Sequence, residues 1–180
     1  MSLEKLFGIK DKVCVITGAA GLLAKAHISA VLEGGGVPVL LDINQDALEQ
    51  RLYWIKSEYP EHSFEYFVAD ITNKQQLEKI GLDLLKKYGH VDALINNVAN
   101  NPKVESKTDN MIFNSFCDFP LDIWEKDIRV GLTGTFIVTQ VFCKIFEKQK
   151  SGIIINISSD YGLIAPDQRV YEVAGKSPDE

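Results

Sequence analysis

Basic charge is what this 180-residue chain is short of: 19 Lys and Arg stand against 25 Asp and Glu, a net charge of −6 at pH 7. A nucleic-acid groove or an anionic membrane surface needs a basic face, so neither is an expected partner. Cysteine is sparse too. Cys14, Cys117 and Cys143 form no Cys-x-x-Cys and have no histidine at ligand spacing. A disulfide framework or a structural zinc is therefore not expected, and a reducing, cytoplasmic location is the default. The start Met1-Ser2-Leu3-Glu4-Lys5 lacks the basic stretch and apolar run of a secretory signal. Long hydrophobic runs are lacking as well. The longest weakly polar stretch, residues 131–143, is too short to cross a bilayer and carries Thr and Gln. Disorder is excluded by an apolar fraction of 46% beside 24% charged residues.

What is present is an alternation of short apolar runs with helical patterns. Lys12-Val13-Cys14-Val15-Ile16-Thr17 is a β-branched run, apolar on both faces, that ends at Gly18. Residues 22–33 read as a helix stopped by Gly34-Gly35-Gly36. Val37-Pro38-Val39-Leu40-Leu41 is a second strand ending at Asp42, with Pro38 weakening its start. Asn44 or Asp46 can cap the next helix, whose Leu48, Leu52, Ile55 and Tyr59 share a face. Residues 64–70 form a third strand, and Thr72 is the expected cap of a helix striped by Leu77, Ile80, Leu84 and Tyr88 and closed by Gly89. A fourth strand over residues 91–96 is followed, from Leu121 to about Lys148, by a long helical pattern and then by a fifth strand over 152–157. Strand alternating with helix predicts an α/β fold, a doubly wound parallel sheet between two helical layers. Ligands bind such sheets at the C-terminal edge of the strands. The one long irregular stretch, residues 98–120, is expected to be an insert beside the substrate side of a single domain spanning 1–180.

The first strand-to-helix turn reads Thr17-Gly18-Ala19-Ala20-Gly21-Leu22-Leu23. Small residues there let the backbone approach a pyrophosphate, which the free N–H groups of a helix N-terminus stabilise. A tight turn packed on its helix would need the same glycines, so the turn alone decides little. Asp42 ends the second strand 21 residues after Gly21. That matches the offset of roughly 20 residues at which an acid accepts hydrogen bonds from an adenosine ribose. A carboxylate repels a 2′-phosphate, so NAD is expected rather than NADP.

Thr17-Gly18-Ala19-Ala20-Gly21, Asp42, Asp70-Ile71, Asn96-Asn97-Val98-Ala99 and Asn156-Ile157-Ser158-Ser159, in this order and spacing, resemble the short-chain dehydrogenase/reductase family over nearly the whole chain. The Gly-Leu-Leu turn, the insert and Tyr161-Gly162-Leu163-Ile164-Ala165-Pro166 are most similar to its bacterial flagellin-modification and sugar-biosynthesis oxidoreductases. The resemblance implies cofactor contacts from Thr17, Gly18, Ala20, Gly21, Leu22 and Leu23, with Asp70 and Ile71 bracketing the adenine. It implies that Asn97, Val98 and Ala99 line the cofactor ribose, and that Ser159 is catalytic, hydrogen-bonding the substrate oxygen while a tyrosine exchanges the proton. No metal is implied.

Three departures stand out. Gly21 comes one place earlier than in ordinary members, and Leu22 and Ala24 occupy the usual glycine positions, a spacing similar to the sugar-nucleotide branch. Gly131 stands where the family has an asparagine that holds a relay water. The family's Tyr-x-x-x-Lys would put both side chains about 40° apart on one helix face, whereas Tyr171 and Lys176 at i and i+5 stand about 140° apart. Tyr171 and Lys176 are thus expected to be a decoy, with the true pair beyond Glu180. The expected parent is an NAD-dependent oxidoreductase acting on a secondary alcohol or ketone, with a sugar derivative as the implied substrate, assembled as a homodimer or homotetramer. The competing expectation is a non-catalytic dinucleotide-binding sensor. His27, His62 and His90 read as surface or packing residues. Trp124, Phe136, Phe142 and Phe146 read as core or interface. Lys144, Lys148 and Lys150 read as a solvated helix end. Alone, residues 1–180 are expected to aggregate through an open apolar edge at 152–157.

Overall fold

A computed structural model describes residues 7–100, 117 and 119–164. Strand periodicity explains its architecture. Along β1 (Val13–Thr17), Val13 and Val15 face one layer while Cys14 and Ile16 face the other. β2 (Val37–Asp42) repeats the division with Val39 and Leu41 against Leu40, and β4 (Ala93–Asn96) with Leu94 against Ile95. Strands apolar on both faces must be covered twice, so a helical layer forms on each side. α1 (Ala24–Glu33) and α2 (Gln45–Glu58) cover one face through Ile28, Leu32, Leu48 and Ile55. α3 (Lys74–Tyr88) and α5 (Thr135–Gln149) cover the other through Leu77, Leu84, Val138 and Phe142.

The sheet is parallel throughout, in the order β3-β2-β1-β4-β5, with β3 at Glu65–Val68 and β5 at Ile153–Asn156. The chain therefore winds outward from β1 in one direction and from β4 in the other. Pro38 is tolerated in this interior strand because pairing with β3 begins only at Val39↔Glu65. The N–H that Pro38 lacks faces the side where no partner strand has yet started. Among the described strands β3 and β5 are the two edges, and on β5 Ile153 and Ile155 are exposed while Ile154 packs inward.

Two local expectations change. Asn73, not Thr72, caps α3: its side chain accepts from the Gln76 N–H. Thr72 is instead drawn to Asp70, to whose carboxylate it donates through N–H and hydroxyl, each at 2.8 Å. The long helical pattern is a continuous 29-residue run, Leu121–Gln149, with a mean hydropathy of 1.3 over its most apolar window. By length and composition that is enough to cross a membrane, which residues 131–143 taken alone did not suggest. In the fold, α5 buries Val138, Val141, Phe142, Ile145 and Phe146 against the sheet. The preceding part consists of α4 (Leu121–Asp127) and a π-helical turn, Ile128–Gly134. Phe142 and Phe146 are core, while Trp124 and Phe136 are exposed.

Cys14 lies in the α1–α2 layer, and burial pushes its thiol up to about 11, with the nearby Asp92 carboxylate adding to the rise. The thiolate is therefore scarce at neutral pH. In the folded protein at pH 8, a thiol reagent is expected to label the exposed Cys117 and Cys143 promptly and Cys14 only on unfolding. Equal labelling rates for all three would contradict this burial.

Candidate functional site at the strand ends

Where the chain turns one way after β1 and the other way after β4, the two exits are pinned to each other. Thr17, fully buried, donates its hydroxyl to the Ile95 carbonyl at 3.4 Å. The same oxygen accepts from the N–H of Asn97 at 3.1 Å and of Val98 at 3.3 Å. Asn97 answers with its side-chain amide, which donates to the carbonyls of Thr17 and Gly18 at 3.1 and 3.2 Å. Gly18 adopts φ +62°, and a Cβ there would stand 2.9 Å from the Val98 Cα. Glycine is required on both counts. Asn96 extends the junction outward, donating to Asn156 Oδ1 at 2.8 Å and Thr139 Oγ1 at 3.0 Å, so β4, β5 and α5 are joined at the same edge.

The turn after Gly18 offers hydrogen-bond donors. Ala19 N–H is taken by the Leu41 carbonyl, Ala20 N–H by Asp42 and Gly21 N–H by the Gly18 carbonyl. The N–H groups of Leu22 and Leu23 have no acceptor among the described residues, and α1 has no side-chain cap. Free donors at a helix N-terminus suit an anion. Leu22 projects its side chain into solvent at 90% exposure, and Leu23 and the neighbouring Ile43 are exposed as well, an apolar rim around those donors.

Asp42 ends β2 beside the turn. One carboxylate oxygen accepts from Ala20 N–H and the other from Asn44 N–H, both at 2.9 Å. Each oxygen keeps a lone pair for a further donor. Asp70 lies two residues past the end of β3, with Oδ1 bound to Thr72, and Oδ2 has no partner among the described residues. Ile71 is buried against Gly134. Between these groups lies a cavity of about 70 Å³ lined by Gly18, Asp42, Ile43, Asp70, Ile71 and Val98, with Val130 lining it from the π-helical turn.

The structure thus brings Thr17, Gly18, Ala20, Gly21, Leu22, Leu23, Asp42, Asp70, Ile71, Asn97 and Val98 to one edge of the sheet, with Ala99 exposed beside Val98. Ser159 lies beyond β5, exposed, where its Oγ accepts from Tyr161 N–H at 3.2 Å and caps a short 3₁₀ turn, Asp160–Gly162. Gly131 is exposed in the π-helical turn, with open space where a side chain would begin. Tyr171, Lys176 and most of the insert over 98–120 lie outside the described residues. One participant escaped the sequence reading. Arg51 on α2 donates from Nη2 to the carbonyls of Ala20 and Gly21. Burial lowers its pKa from the ordinary value, while the Asp42 carboxylate acts in the opposite sense. The available signal was a charged residue on the stripe formed by Leu48, Leu52 and Ile55.

This arrangement has counterparts. A family model for short chain dehydrogenase matches residues 12–176. The chain is 31% identical over 176 residues to an NAD-dependent glycerol dehydrogenase of Listeria innocua, covering 97% of this chain and 63% of that protein. It is 27% identical to post-translational flagellin modification protein A of Campylobacter coli, covering 91% of this chain and 61% of the other. Among solved structures, NAD⁺-bound xylitol dehydrogenase superposes with a TM-score of 0.76 at 25% identity, over 88% of this chain and 56% of that one. The chain spans less than two thirds of the length of these relatives.

The pinned junction makes a graded prediction. Gly18→Ala forces a side chain into a left-handed conformation against backbone and is expected to cost roughly 2–4 kcal/mol. Gly21→Ala would meet only the Gly18 carbonyl, at 3.0 Å with no positive φ, and should cost less. Thermal melts of the two variants check this, and an equal loss would contradict the close approach of Gly18 to Val98.

Proposed function

The chain belongs to the short-chain dehydrogenase family, and from that premise we propose that it binds NAD through the β1, β2 and β4 strand ends, as the cofactor part of an oxidoreductase. The observation that carries the reading is that the Leu22 and Leu23 N–H groups have no acceptor among the described residues and that the Asp42 carboxylate stands beside the same turn. The residues fit the group. The glycine turn has the open backbone that a pyrophosphate needs, and the cavity next to it is closed on the Asp70 and Ile71 side by groups suited to a flat base. Bound there, the nicotinamide dinucleotide supplies the hydride.

The chain's own residues have separable tasks in this proposal. Leu22 and Leu23 donate backbone hydrogen bonds to the pyrophosphate. Asp42 accepts from the adenosine ribose hydroxyls, and its charge disfavours a 2′-phosphate, which selects NAD over NADP. Asp70 Oδ2 accepts from the adenine amine while Ile71 packs on the ring. Asn97, Val98 and Ala99 line the second ribose. Ser159 holds the substrate oxygen by a hydrogen bond and so places the carbinol carbon for hydride exchange. The substrate class is a secondary alcohol or the matching ketone, of polyol or sugar-derived type. Glycerol and xylitol, named for two relatives, support it. We read residues 1–180 as one domain, with 98–120 as an insert on the substrate side, in a cytoplasmic protein that associates as a homodimer or homotetramer.

A second reading is favoured by one observation. Gly131 stands in open space at the π-helical turn, where the family pattern calls for an asparagine and its water. A dinucleotide-binding sensor without turnover would tolerate that glycine.

Titration with NADH followed by fluorescence, then assay on a panel of sugar alcohols, separates these readings. Asp42→Ala is expected to weaken NADH binding about tenfold or more, the loss of hydrogen bonds to a charged acceptor, and to narrow the preference over NADPH. Unchanged NADH affinity would defeat the ribose contact. Binding without turnover on any alcohol would favour the sensor.

A further inference from the structure

The guanidinium of Arg51 is built into the glycine turn from behind. It leaves α2 on the inward stripe, and its Nη2 donates to the Gly21 carbonyl at 2.9 Å and the Ala20 carbonyl at 3.2 Å. The Trp54 ring centroid lies 5.5 Å from the guanidinium carbon, and the Lys25 ammonium stands 4.8 Å from the same centroid. Nε is buried with no partner among the described residues, so the group is fastened at its Nη2 end, on the turn.

Peptide geometry says what that fastening does. A trans peptide is planar, with its carbonyl and N–H pointing in opposite directions. The Gly21 carbonyl shares its plane with the Leu22 N–H, and the Ala20 carbonyl shares its plane with the Gly21 N–H. The Gly21 N–H is already spent on the Gly18 carbonyl, but the Leu22 N–H has no acceptor among the described residues. Drawing the Gly21 carbonyl toward α2 turns the Leu22 N–H the opposite way, out over the open edge of the sheet.

We propose that Arg51 is a positioning residue for the dinucleotide: through the Ala20 and Gly21 carbonyls it holds the peptide planes of the turn so that the Leu22 N–H is presented to the pyrophosphate. This rests on the dinucleotide reading above. Arg51 touches neither the cofactor nor the substrate. Its effect falls on the pyrophosphate and leaves the adenosine end unaffected.

The test compares wild-type full chain with Arg51→Met and Arg51→Lys, using NADH, ADP and adenosine as probes in calorimetric titrations, with melting curves run alongside. Arg51→Met is expected to weaken NADH and ADP by about tenfold to a hundredfold and to leave adenosine within about twofold. Arg51→Lys should recover part of the loss, because an ammonium can still donate to the Gly21 carbonyl. If Arg51→Met is too unstable to titrate, Arg51→Lys decides alone through a reduced preference for ADP over adenosine. Wild-type affinity for ADP and NADH in the variants overturns the proposal while leaving the dinucleotide reading standing. Equal losses for adenosine and ADP overturn it in favour of a general loosening of the turn. A wild-type chain that does not bind NADH removes both.

Discussion

The contact on which this structure depends is the one between the chain leaving β1 and the chain leaving β4. In the order β3-β2-β1-β4-β5, neighbouring strands β1 and β4 send their chains in opposite directions, which opens a crevice between them. A crevice between two turns is unstable unless the turns hold each other. The Thr17 hydroxyl and the Asn97 amide do this with five hydrogen bonds across the gap. They bring the backbones so close that only glycine fits at position 18. Buried polar groups of this kind are costly unless paired. Here they pair with each other and fix the floor of the proposed cofactor site.

The rest of the site is hung from that floor. Once Gly18 is placed, the turn closes through the Gly21 N–H on the Gly18 carbonyl, and the Leu22 and Leu23 N–H groups that lead into α1 have no acceptor among the described residues. Asp42 reaches the turn from β2, and Arg51 reaches it from α2, one to a backbone N–H and the other to backbone carbonyls. Acid and base thus grip opposite poles of the same short loop. The apolar layers behind contribute rigidity: Leu40, Ile16 and Ile28 on one side, Leu41, Leu94 and Phe142 on the other, leave the strands no room to shift. A preorganised loop spends less of its binding energy on ordering itself.

Much of this was legible from residue order. Continuous apolar strands named a doubly wound sheet, and Gly18, Gly21 and Asp42 stood at the spacing that a strand-turn-helix requires. What escaped had physical reasons. Thr72 and Asn73 are both competent helix caps, and the choice fell to Asn73 because Asp70 captures Thr72, a contact between neighbours that propensity does not encode. Arg51 hid because a charge on an apolar stripe reads as a helix edge until the carbonyls it meets, 30 and 31 residues away, are in place. The π-helical turn over Ile128–Gly134 has no periodicity of its own to announce it. Of the four aromatics that helical spacing assigned to core or interface, Phe142 and Phe146 are core on α5, whereas Phe136 is exposed on α5 and Trp124 is exposed on α4, which buries none of its residues.

The central claim is that the strand ends of β1, β2 and β4 form one dinucleotide-binding surface. Mapping backbone amide shifts in the NMR spectrum during NADH titration tests it most directly. The account predicts that the largest shifts cluster at residues 18–23, with Leu22 foremost, and extend to Asp42, Asp70, Ile71 and Val98. Shifts concentrated instead on the outer faces of α3 and α5, or none across the glycine turn at saturating NADH, would contradict it.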